Sequence, residues 1–359
     1  MKKLIFATVC LALMLSLCSC AELFGGATYE LSEDGTYAEV VGYNPSYKRI
    51  SVASEYKGVP VKVIASRAFE NGYNIKSVKI AASVTEIGNE AFLDCESLES
   101  VKFAANSNLT TIGDAAFGNC KRLRNVEIPE SVTKIGNGAF SHCESFSEIR
   151  IPDSVVEVGG RAFAGCSRTT SIEIGTGVTA IDIFTFSGCA RVESLSISLE
   201  TELDLPIAGL FGESLKTVTV TGGTEITDGA FENCTNITSI TLPNSLTIIG
   251  EKAFANSGIT SITIPEGVTH ISASAFYECR NLSVVVLPST ITSTCANAFY
   301  FCYALTTVYY GGTAEEWAGL EIESSSKLAK ATIHYYSESA PKEEGNFWHF
   351  DDNGNAVAW

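Results

Sequence analysis

The chain has 359 residues, of which 45% are apolar and 18% charged, and its formal net charge is −17. This composition predicts a folded chain rather than a disordered one, because disordered chains combine low hydrophobicity with high charge. The acidity argues against a nucleic-acid partner, since phosphates require clustered cations and no basic run exceeds two residues, as at Lys121-Arg122.

Residues 1–20 are predicted to be an export signal. Two lysines near the start precede an almost wholly apolar run, Leu4–Leu17, which is short for a membrane span. The run Leu17–Cys20 then resembles a lipoprotein cleavage box, with leucine at position minus three and serine at minus one. We expect acylation of Cys20 and membrane attachment through that lipid, with residues 21–28 as a tether. Plain secretion after cleavage is the alternative.

Residues 29–58 are predicted to form an N-terminal β cap. Apolar and polar positions alternate there, and the turn-forming pairs Asp34-Gly35 and Asn44-Pro45 interrupt them. Such a cap would cover the first exposed edge of the repeats that follow.

One motif recurs over residues 59–310 and is clearest in VEIPESVTKIGNGAFSHC, which runs from Val126 to Cys143. Its fixed point is an Ala-Phe pair. From Phe69 to Phe299, 230 residues contain ten intervals, so the mean period is 23 residues. Such a period indicates a solenoid of about eleven repeats, in which each unit buries its apolar face against its neighbours. The equivalent residues are Phe69, Phe92, Phe117, Phe140, Phe163, Phe186, Phe211, Phe231, Phe254, Phe276 and Phe299.

Positions within a repeat can be counted from this phenylalanine. Apolar residues lie six, nine and eleven positions after it, and the last two have strand spacing, as at Val126 and Ile128. A proline often follows and ends the strand, because it has no N–H to donate. A second apolar pair, such as Val132 with Ile135, turns the chain inward. We predict one short strand per repeat and an inner column of phenylalanines.

The pattern IPxSVTxIGxxAFxxCxxLxxI, at Ile128–Ile149 and again at Leu242–Ile262, resembles the BspA-type leucine-rich repeat of bacterial surface proteins. The resemblance covers roughly residues 59–336. It implies a β-rich, right-handed solenoid with one parallel-sheet strand per repeat and little helix. It also implies export, surface attachment and adhesion to host or neighbouring-cell proteins.

The pattern changes between Phe186 and Phe211, where the sequence SLETELDLPIAG replaces the usual run. The next strand, Leu215–Val220, then arrives two residues early. We expect a kink or bulge here. Both a degenerate repeat and a loop that shapes a binding site fit this departure.

Residues 311–336 resemble the closing segment of the same family. The resemblance implies a turn at Gly311-Gly312, a helix from Thr313, a last strand over Ala331–Tyr336, and Trp317 covering the last apolar layer. Residues 337–359 are interpreted as an acidic linker and a hairpin turning at Asn353-Gly354, which either docks or stays mobile.

Eight of the nine cysteines outside the signal lie three residues after a repeat phenylalanine. Other repeats place glycine or serine there, so the position requires a small residue. We predict buried thiols that pack as small apolar groups, with disulfides or a metal as alternatives. The eight are Cys95, Cys120, Cys143, Cys166, Cys189, Cys234, Cys279 and Cys302.

No pattern in the sequence predicts an enzyme, a cofactor or a metal site. The four histidines share no metal-ligand spacing, and nucleotide-binding and nucleophile-elbow motifs do not occur. His142 beside Cys143 resembles a base and its nucleophile, but neighbouring side chains on such a chain usually point apart.

Residues eight and ten positions after each phenylalanine are predicted to face outward as two columns, which end in the apolar group Val284, Val286 and Tyr309. Serine and threonine suit any exposed strand, so one interpretation is purely structural. The other is an adhesion face for an extracellular, host or neighbour-cell protein, or for a glycan. A structural or glycan-binding envelope component is the alternative function. The candidate binding residues are Lys79, Lys102, Glu127, Arg150, Glu173, Thr219, Thr241, Thr263 and Tyr309.

Overall fold

The computed structural model of the protein describes residues 25–203, 207–211, 214–322, 326–342 and 345–359. The predicted signal over residues 1–20, including Cys20, and the start of the tether lie outside the described residues. The chain divides into two compact units, with the boundary between Arg191 and Val192. We call them unit 1 and unit 2 and describe them in turn.

Unit 1 begins with an antiparallel hairpin and continues with parallel strands. The strands are β1 (Ala27–Leu31), β2 (Ala38–Tyr43), β3 (Arg49–Ser51), β4 (Glu55–Tyr56), β5 (Val59–Ile64), β6 (Ser77–Ile80), β7 (Glu86–Ile87), β8 (Ser100–Phe103), β9 (Thr111–Ile112), β10 (Lys134–Ile135), β11 (Glu148–Ile151), β12 (Glu157–Val158), β13 (Ser171–Ile174) and β14 (Ala180–Ile181). β1 and β2 form the hairpin, and β2 pairs in parallel with β5.

The coils of unit 1 contribute two sets of parallel strands. The longer strands β3, β6 and β8 pair with one another, as do β11 and β13. The two-residue strands β7, β9, β10 and β12 continue the sheet that contains β5. The sequence predicts only the first set. The second set is formed where the inward apolar residue, such as Ile135, brings adjacent backbones within hydrogen-bonding distance. The architecture is a β-solenoid with very little helix.

Unit 2 is built in the same way. Its elements are β15 (Ser194–Ser198), β16 (Glu202–Leu203), α1 (Ile207–Phe211), β17 (Thr217–Gly222), β18 (Glu225–Ile226), β19 (Ser239–Thr241), β20 (Ile248–Ile249), β21 (Ser261–Thr263), β22 (His270–Ile271), β23 (Val284–Leu287), β24 (Ser293–Thr294), β25 (Thr307–Tyr310), α2 (Ala314–Ala318), a 3₁₀ helix (Leu328–Lys330), β26 (Thr332–Tyr336), β27 (Phe347–Phe350) and β28 (Ala356–Ala358). β15, β17 and β19 are parallel neighbours, and so are β21, β23, β25, β26 and β27.

The repeat phenylalanines form columns of stacked rings inside both units. In unit 1 the rings from Phe69 to Phe186 have centroid separations of 4.7–5.8 Å and interplanar angles of 3–14°. In unit 2 the rings from Phe231 to Phe299 are separated by 4.9–5.3 Å. These separations are close to the spacing of neighbouring strands, because successive rings belong to successive coils. The predicted inner column is confirmed.

The Ala-Phe segment is a turn, not a helix. Its backbone joins adjacent coils, as where the N–H of Phe92 donates to the carbonyl of Ala116 at 2.7 Å. Residues two positions before and after the phenylalanine have positive φ, as at Glu90 (58°) and Asp94 (60°). Non-glycine residues adopt this conformation only where the surrounding structure imposes it. Stacking of the coils therefore determines the local backbone here.

The glycine that follows the second strand is required by the close approach of the coils. A Cβ placed on Gly136 would lie 2.6 Å from the backbone nitrogen of Asp114 in the preceding coil. Gly88, Gly113 and Gly159 occupy the equivalent position and meet backbone atoms at similar distances. A side chain at these four glycines would force the neighbouring backbone to move, whereas other coils hold Asp182, Thr227 and Ser272 at the equivalent position.

The sequence departure near the start of unit 2 coincides with a local irregularity. The pairing of β15 with β17 shifts register between Ile197 and Ser198, so a bulge is present where one is expected. The short helix α1 follows before β17 begins.

The C-terminal segment of unit 2 closes the sheet. Thr313 caps α2 in a capping box with Glu316, so the backbone N–H groups of Thr313 and Glu316 are both bonded. β26 pairs in parallel with β25, β27 adds in parallel to β26, and β28 returns antiparallel to β27. The C-terminal hairpin is therefore docked as two further strands of the sheet.

Candidate ligand-binding surface

Most of the predicted outward column lies on the exposed face of the sheets. In unit 1, Lys79 is directly opposite Lys102. In unit 2, Thr219 is opposite Thr241, and Thr263 is exposed on β21. Lys79 and Lys102 form no ion pair within the described part of the chain. Their charges are therefore available to a ligand.

Arg150 is less available than the sequence predicts. It lies opposite Glu173 in the β11–β13 pair. Its guanidinium contacts the carboxylate of Glu130 at 2.8 Å and that of Glu173 at 3.6 Å. The hydrogen bond to Glu130 is the main reason that the pKa of Arg150 is raised. A ligand would have to compete with two carboxylates for this side chain.

Glu127 is exposed but does not lie on a strand, because the strand predicted around Val126 and Ile128 is absent. The side chain of Asn125 replaces part of the missing ladder. Its Oδ1 accepts the backbone N–H of Ser147 at 2.9 Å and that of Glu148 at 3.3 Å. The prediction of a strand in every repeat is wrong at this coil.

The outward column ends in unit 2 beneath an aromatic cluster. Tyr309 is half-buried, with ring centroids 5.2 Å from His334 and 5.4 Å from Trp348. Trp348 is only 1% exposed, and its Nε1–H donates to the carbonyl of Tyr310 at 2.8 Å. Val286, predicted to face solvent, is 7% exposed. The prediction of an exposed apolar end is therefore wrong, because the docked hairpin covers it.

Trp348, and not Trp317, is the buried tryptophan over the end of the repeats. Trp317 is half-buried and meets the ring of Tyr310 edge-on at 5.2 Å. Trp348 was not predicted to be a covering residue, because residues 337–359 were interpreted as a linker and tail. The FWHF segment, which has three aromatic residues in four positions, was the available signal.

A cleft of about 380 Å³ opens beside this cluster, and we call it the aromatic cleft. Two rings on its rim remain accessible, since Tyr336 is 41% and Phe350 46% exposed. Polar groups at the cleft include Thr263 and Glu266. The full lining is Asn244, Thr263, Ile264, Pro265, Glu266, Val286, Leu287, Pro288, Gly311, Tyr336, Trp348 and Phe350.

Comparison with known proteins identifies the repeat. Residues 62–193 and 210–328, more than two thirds of the chain, match the BspA type leucine rich repeat region in six copies. The chain belongs to the BspA-type leucine-rich repeat family. Repeat scaffolds of this kind present extended surfaces suited to protein binding.

Solved bacterial structures are similar to this BspA-type chain. A leucine-rich repeat protein from Bacteroides ovatus is 23% identical, with 86% of this chain and 98% of that chain covered and a TM-score of 0.39. A leucine rich cell surface protein from Faecalibacterium prausnitzii is 26% identical over 83% and 96% of the two chains, with a TM-score of 0.30. The leucine-rich repeat protein of T. pallidum is 24% identical over 64% and 86%, with a TM-score of 0.41. No curated protein matches the chain.

The BspA-type coils hold their cysteines as buried thiols, as predicted. No disulfide joins two of the nine cysteines in the described residues, and of these nine only Cys295 is exposed. Where a hydrogen bond of a repeat cysteine is described, the thiol donates to the carbonyl of the phenylalanine in the preceding repeat. Cys279, for example, donates to Phe254 at 3.0 Å. Burial raises the pKa of Cys95 to about 12 and that of Cys279 to about 11. The equivalent bonds are made by Cys95, Cys120, Cys143, Cys166, Cys189 and Cys302.

His142 and Cys143 do not form a catalytic pair. The histidine is exposed, whereas the thiol is buried and donates to the carbonyl of Phe117 at 3.3 Å. Burial also raises the pKa of Cys143, which opposes thiolate formation.

The described residues contain neither a cluster of metal ligands nor a helix suited to span a membrane. No group of three or more His, Cys, Asp or Glu side chains in the described ranges is arranged to hold a metal ion. No helix in those same ranges has the length and apolar character of a membrane span.

Proposed function

We propose that this BspA-type protein is a non-enzymatic surface lipoprotein that binds an extracellular or neighbouring-cell protein through the outward face of its sheets. The observation that carries the proposal is the aromatic cleft, where Tyr336 and Phe350 stay exposed around the buried ring of Trp348. Aromatic side chains dominate the energetic centres of protein interfaces, because they bury large areas at a low entropic cost.

The layout of the cleft supports a peptide segment as the ligand. Its floor is apolar, with Val286 and Pro288, and Glu266 and Asn244 add polar groups. An apolar centre with a polar rim is the usual anatomy of a protein interface. In unit 1, Lys79 and Lys102 would form a separate electrostatic contact surface, with Glu127, Arg150 and Glu173 as peripheral contacts. In unit 2, Thr219 and Thr241 would be peripheral contacts.

Binding of the chain from Ala21 to Trp359 to extracellular-matrix proteins, compared with a glycan panel, tests the proposal. The double variant Tyr336→Ala/Phe350→Ala should weaken protein binding by roughly tenfold or more. The control Tyr73→Ala/Tyr303→Ala removes two other exposed aromatic rings and should leave binding unchanged. Equal loss in both variants, or binding to glycans alone, would contradict the proposal.

Lipid attachment at Cys20 is the second part of the proposal. Cells grown with a clickable palmitate analogue should label the protein, and Cys20→Ala should abolish both labelling and membrane association. Labelling that persists in Cys20→Ala would contradict this attachment site. Release of an unlabelled chain into the medium would instead support plain secretion.

A further inference from the structure

A second cleft, in unit 1, has the opposite chemistry to the aromatic cleft. Its volume is about 580 Å³, which falls in the usual range of ligand sites. We call it the arginine cleft, and its lining contains no apolar side chain. The lining residues are Glu99, Arg122, Arg124, Asn125, Ser145, Ser147 and Arg168.

The three arginines of this cleft are uncompensated cations. Eight arginines and lysines of the described residues form ion pairs at the surface, as Lys121 does with Glu96 at 2.7 Å. Arg122, Arg124 and Arg168 form none within the described residues. Glu99, the single acidic residue of the lining, lies 3.7 Å from Lys76, which offsets its charge. A local excess of positive charge thus exists on a chain whose net charge is −17.

The floor of the cleft is held in place by its own hydrogen bonds. The Asn125 amide donates to the Ser147 hydroxyl at 2.9 Å and to a Glu148 carboxylate oxygen at 3.0 Å. The Ser145 hydroxyl donates to the carbonyl of Lys121 at 2.7 Å. This floor lies where the strand predicted in this coil is missing. The polar floor is therefore preorganised, while the guanidinium N–H groups of the three arginines have no hydrogen-bond partner in the part of the chain that the structure describes.

We infer that the arginine cleft binds a sulfated polysaccharide. Arginine presents a planar fork of donors that pairs with the oxygens of an anionic group in a bidentate manner. A ligand with several sulfates and many hydroxyls would match three separated guanidinium groups on a wholly polar floor. An acidic peptide fits less well, because peptide recognition usually centres on a buried apolar or aromatic anchor. Single-stranded nucleic acid would need aromatic rings for base stacking, and the lining has none.

Binding of the full-length protein to immobilised heparin tests the inference. The triple variant Arg122→Gln/Arg124→Gln/Arg168→Gln should bind heparin at least about tenfold more weakly, since three charge-assisted contacts are lost. The control Lys216→Gln/Lys252→Gln/Arg280→Gln makes the same change in net charge at cations that lie beside glutamates. It should change heparin binding less than about twofold.

Two further ligands distinguish specific binding of sulfate groups from general attraction of the arginines to any anion. Chemically desulfated heparin should bind weakly, and poly-L-glutamate should compete poorly. Equal loss of binding in the two triple variants would overturn the inference, as would no binding to heparin. Tighter binding to poly-L-glutamate would overturn it in favour of an acidic peptide. The arginine variant should retain protein binding through the aromatic cleft, so failure of one proposal does not imply failure of the other.

Discussion

The repeat phenylalanines show how single residues determine this fold. Phe117 is fully buried, and its ring stacks between Phe92 at 5.0 Å and Phe140 at 5.3 Å. Removing it deletes contacts in three coils at once. Because a solenoid is stabilised mainly by interfaces between neighbouring repeats, damage to one coil weakens both adjacent interfaces.

We therefore expect Phe117→Ala to lower the free energy of unfolding by about 3–5 kcal/mol. Phe184→Ala is the matched control, because Phe184 lies in the same unit but is exposed, and losing its contact with the Arg161 guanidinium should cost about 1 kcal/mol or less. Urea denaturation followed by circular dichroism measures both. Similar shifts for the two variants would show that the inner column does not carry the stability.

Because its thiols are buried, the protein should have a lower free energy of unfolding at alkaline pH than at neutral pH. Burial raises the pKa of Cys279 to about 11, so the unfolded chain loses this proton at a lower pH than the folded chain does. The stabilising contribution is complete below the unfolded thiol pKa of about 8.5 and is lost as pH rises toward 11.

Cys279→Ser should remove this dependence, since serine does not titrate and Ser257 already occupies the equivalent position in a neighbouring coil. Between pH 7 and pH 10, the free energy of unfolding measured with urea should fall by about 1–2 kcal/mol more for wild type than for the variant. Cys295→Ser, at the exposed cysteine, should follow the wild-type profile. Identical pH profiles for Cys279→Ser and wild type would refute the argument.

At the scale of elements, the missing strand near Asn125 is the main departure from the repeat. The Oδ1 atom of Asn125 accepts hydrogen bonds from the N–H groups of Ser147 and Glu148 in place of a backbone ladder.

We expect Asn125→Ala to lower the free energy of unfolding by about 1 kcal/mol, because these N–H groups lie where water can replace part of the lost bond. Asn236→Ala, at an exposed asparagine with no described side-chain bond, should be neutral in the same urea assay. A neutral Asn125→Ala would show that the side chain does not replace the ladder.

At the scale of the whole molecule, the C-terminal hairpin acts as a closing element for the repeats. It places Trp348 against Tyr309 and Tyr336 and covers Val286. Solenoids require such covers, since the apolar surface and open strand edge of a last repeat favour aggregation. The hairpin thus both protects the end of unit 2 and forms one wall of the aromatic cleft.

Trp348→Ala should lower the free energy of unfolding by about 3–5 kcal/mol and increase binding of a hydrophobic dye. Trp359→Ala is the matched control, because Trp359 lies in the same hairpin but is exposed; its ring stacks on His349, and its Nε1–H donates to the carbonyl of Ser337 at 3.0 Å. It should have a smaller effect in both measurements. If deletion of the hairpin changed neither stability nor dye binding, its role as a cover would be ruled out.

The sequence by itself determined the period, the phenylalanine columns, the small cysteine position and the proline ends of the strands. These features recur every 23 residues on average, so the same residue type marks the same structural position in one repeat after another. Tertiary structure alone decided the second strand of each coil, the missing strand near Asn125, and the cover that Trp348 places over Tyr309. It also gathered Arg122, Arg124 and Arg168 into one cleft. Each of these depends on contacts between residues in different coils, and such contacts are set by how the coils stack rather than by the pattern within any one of them.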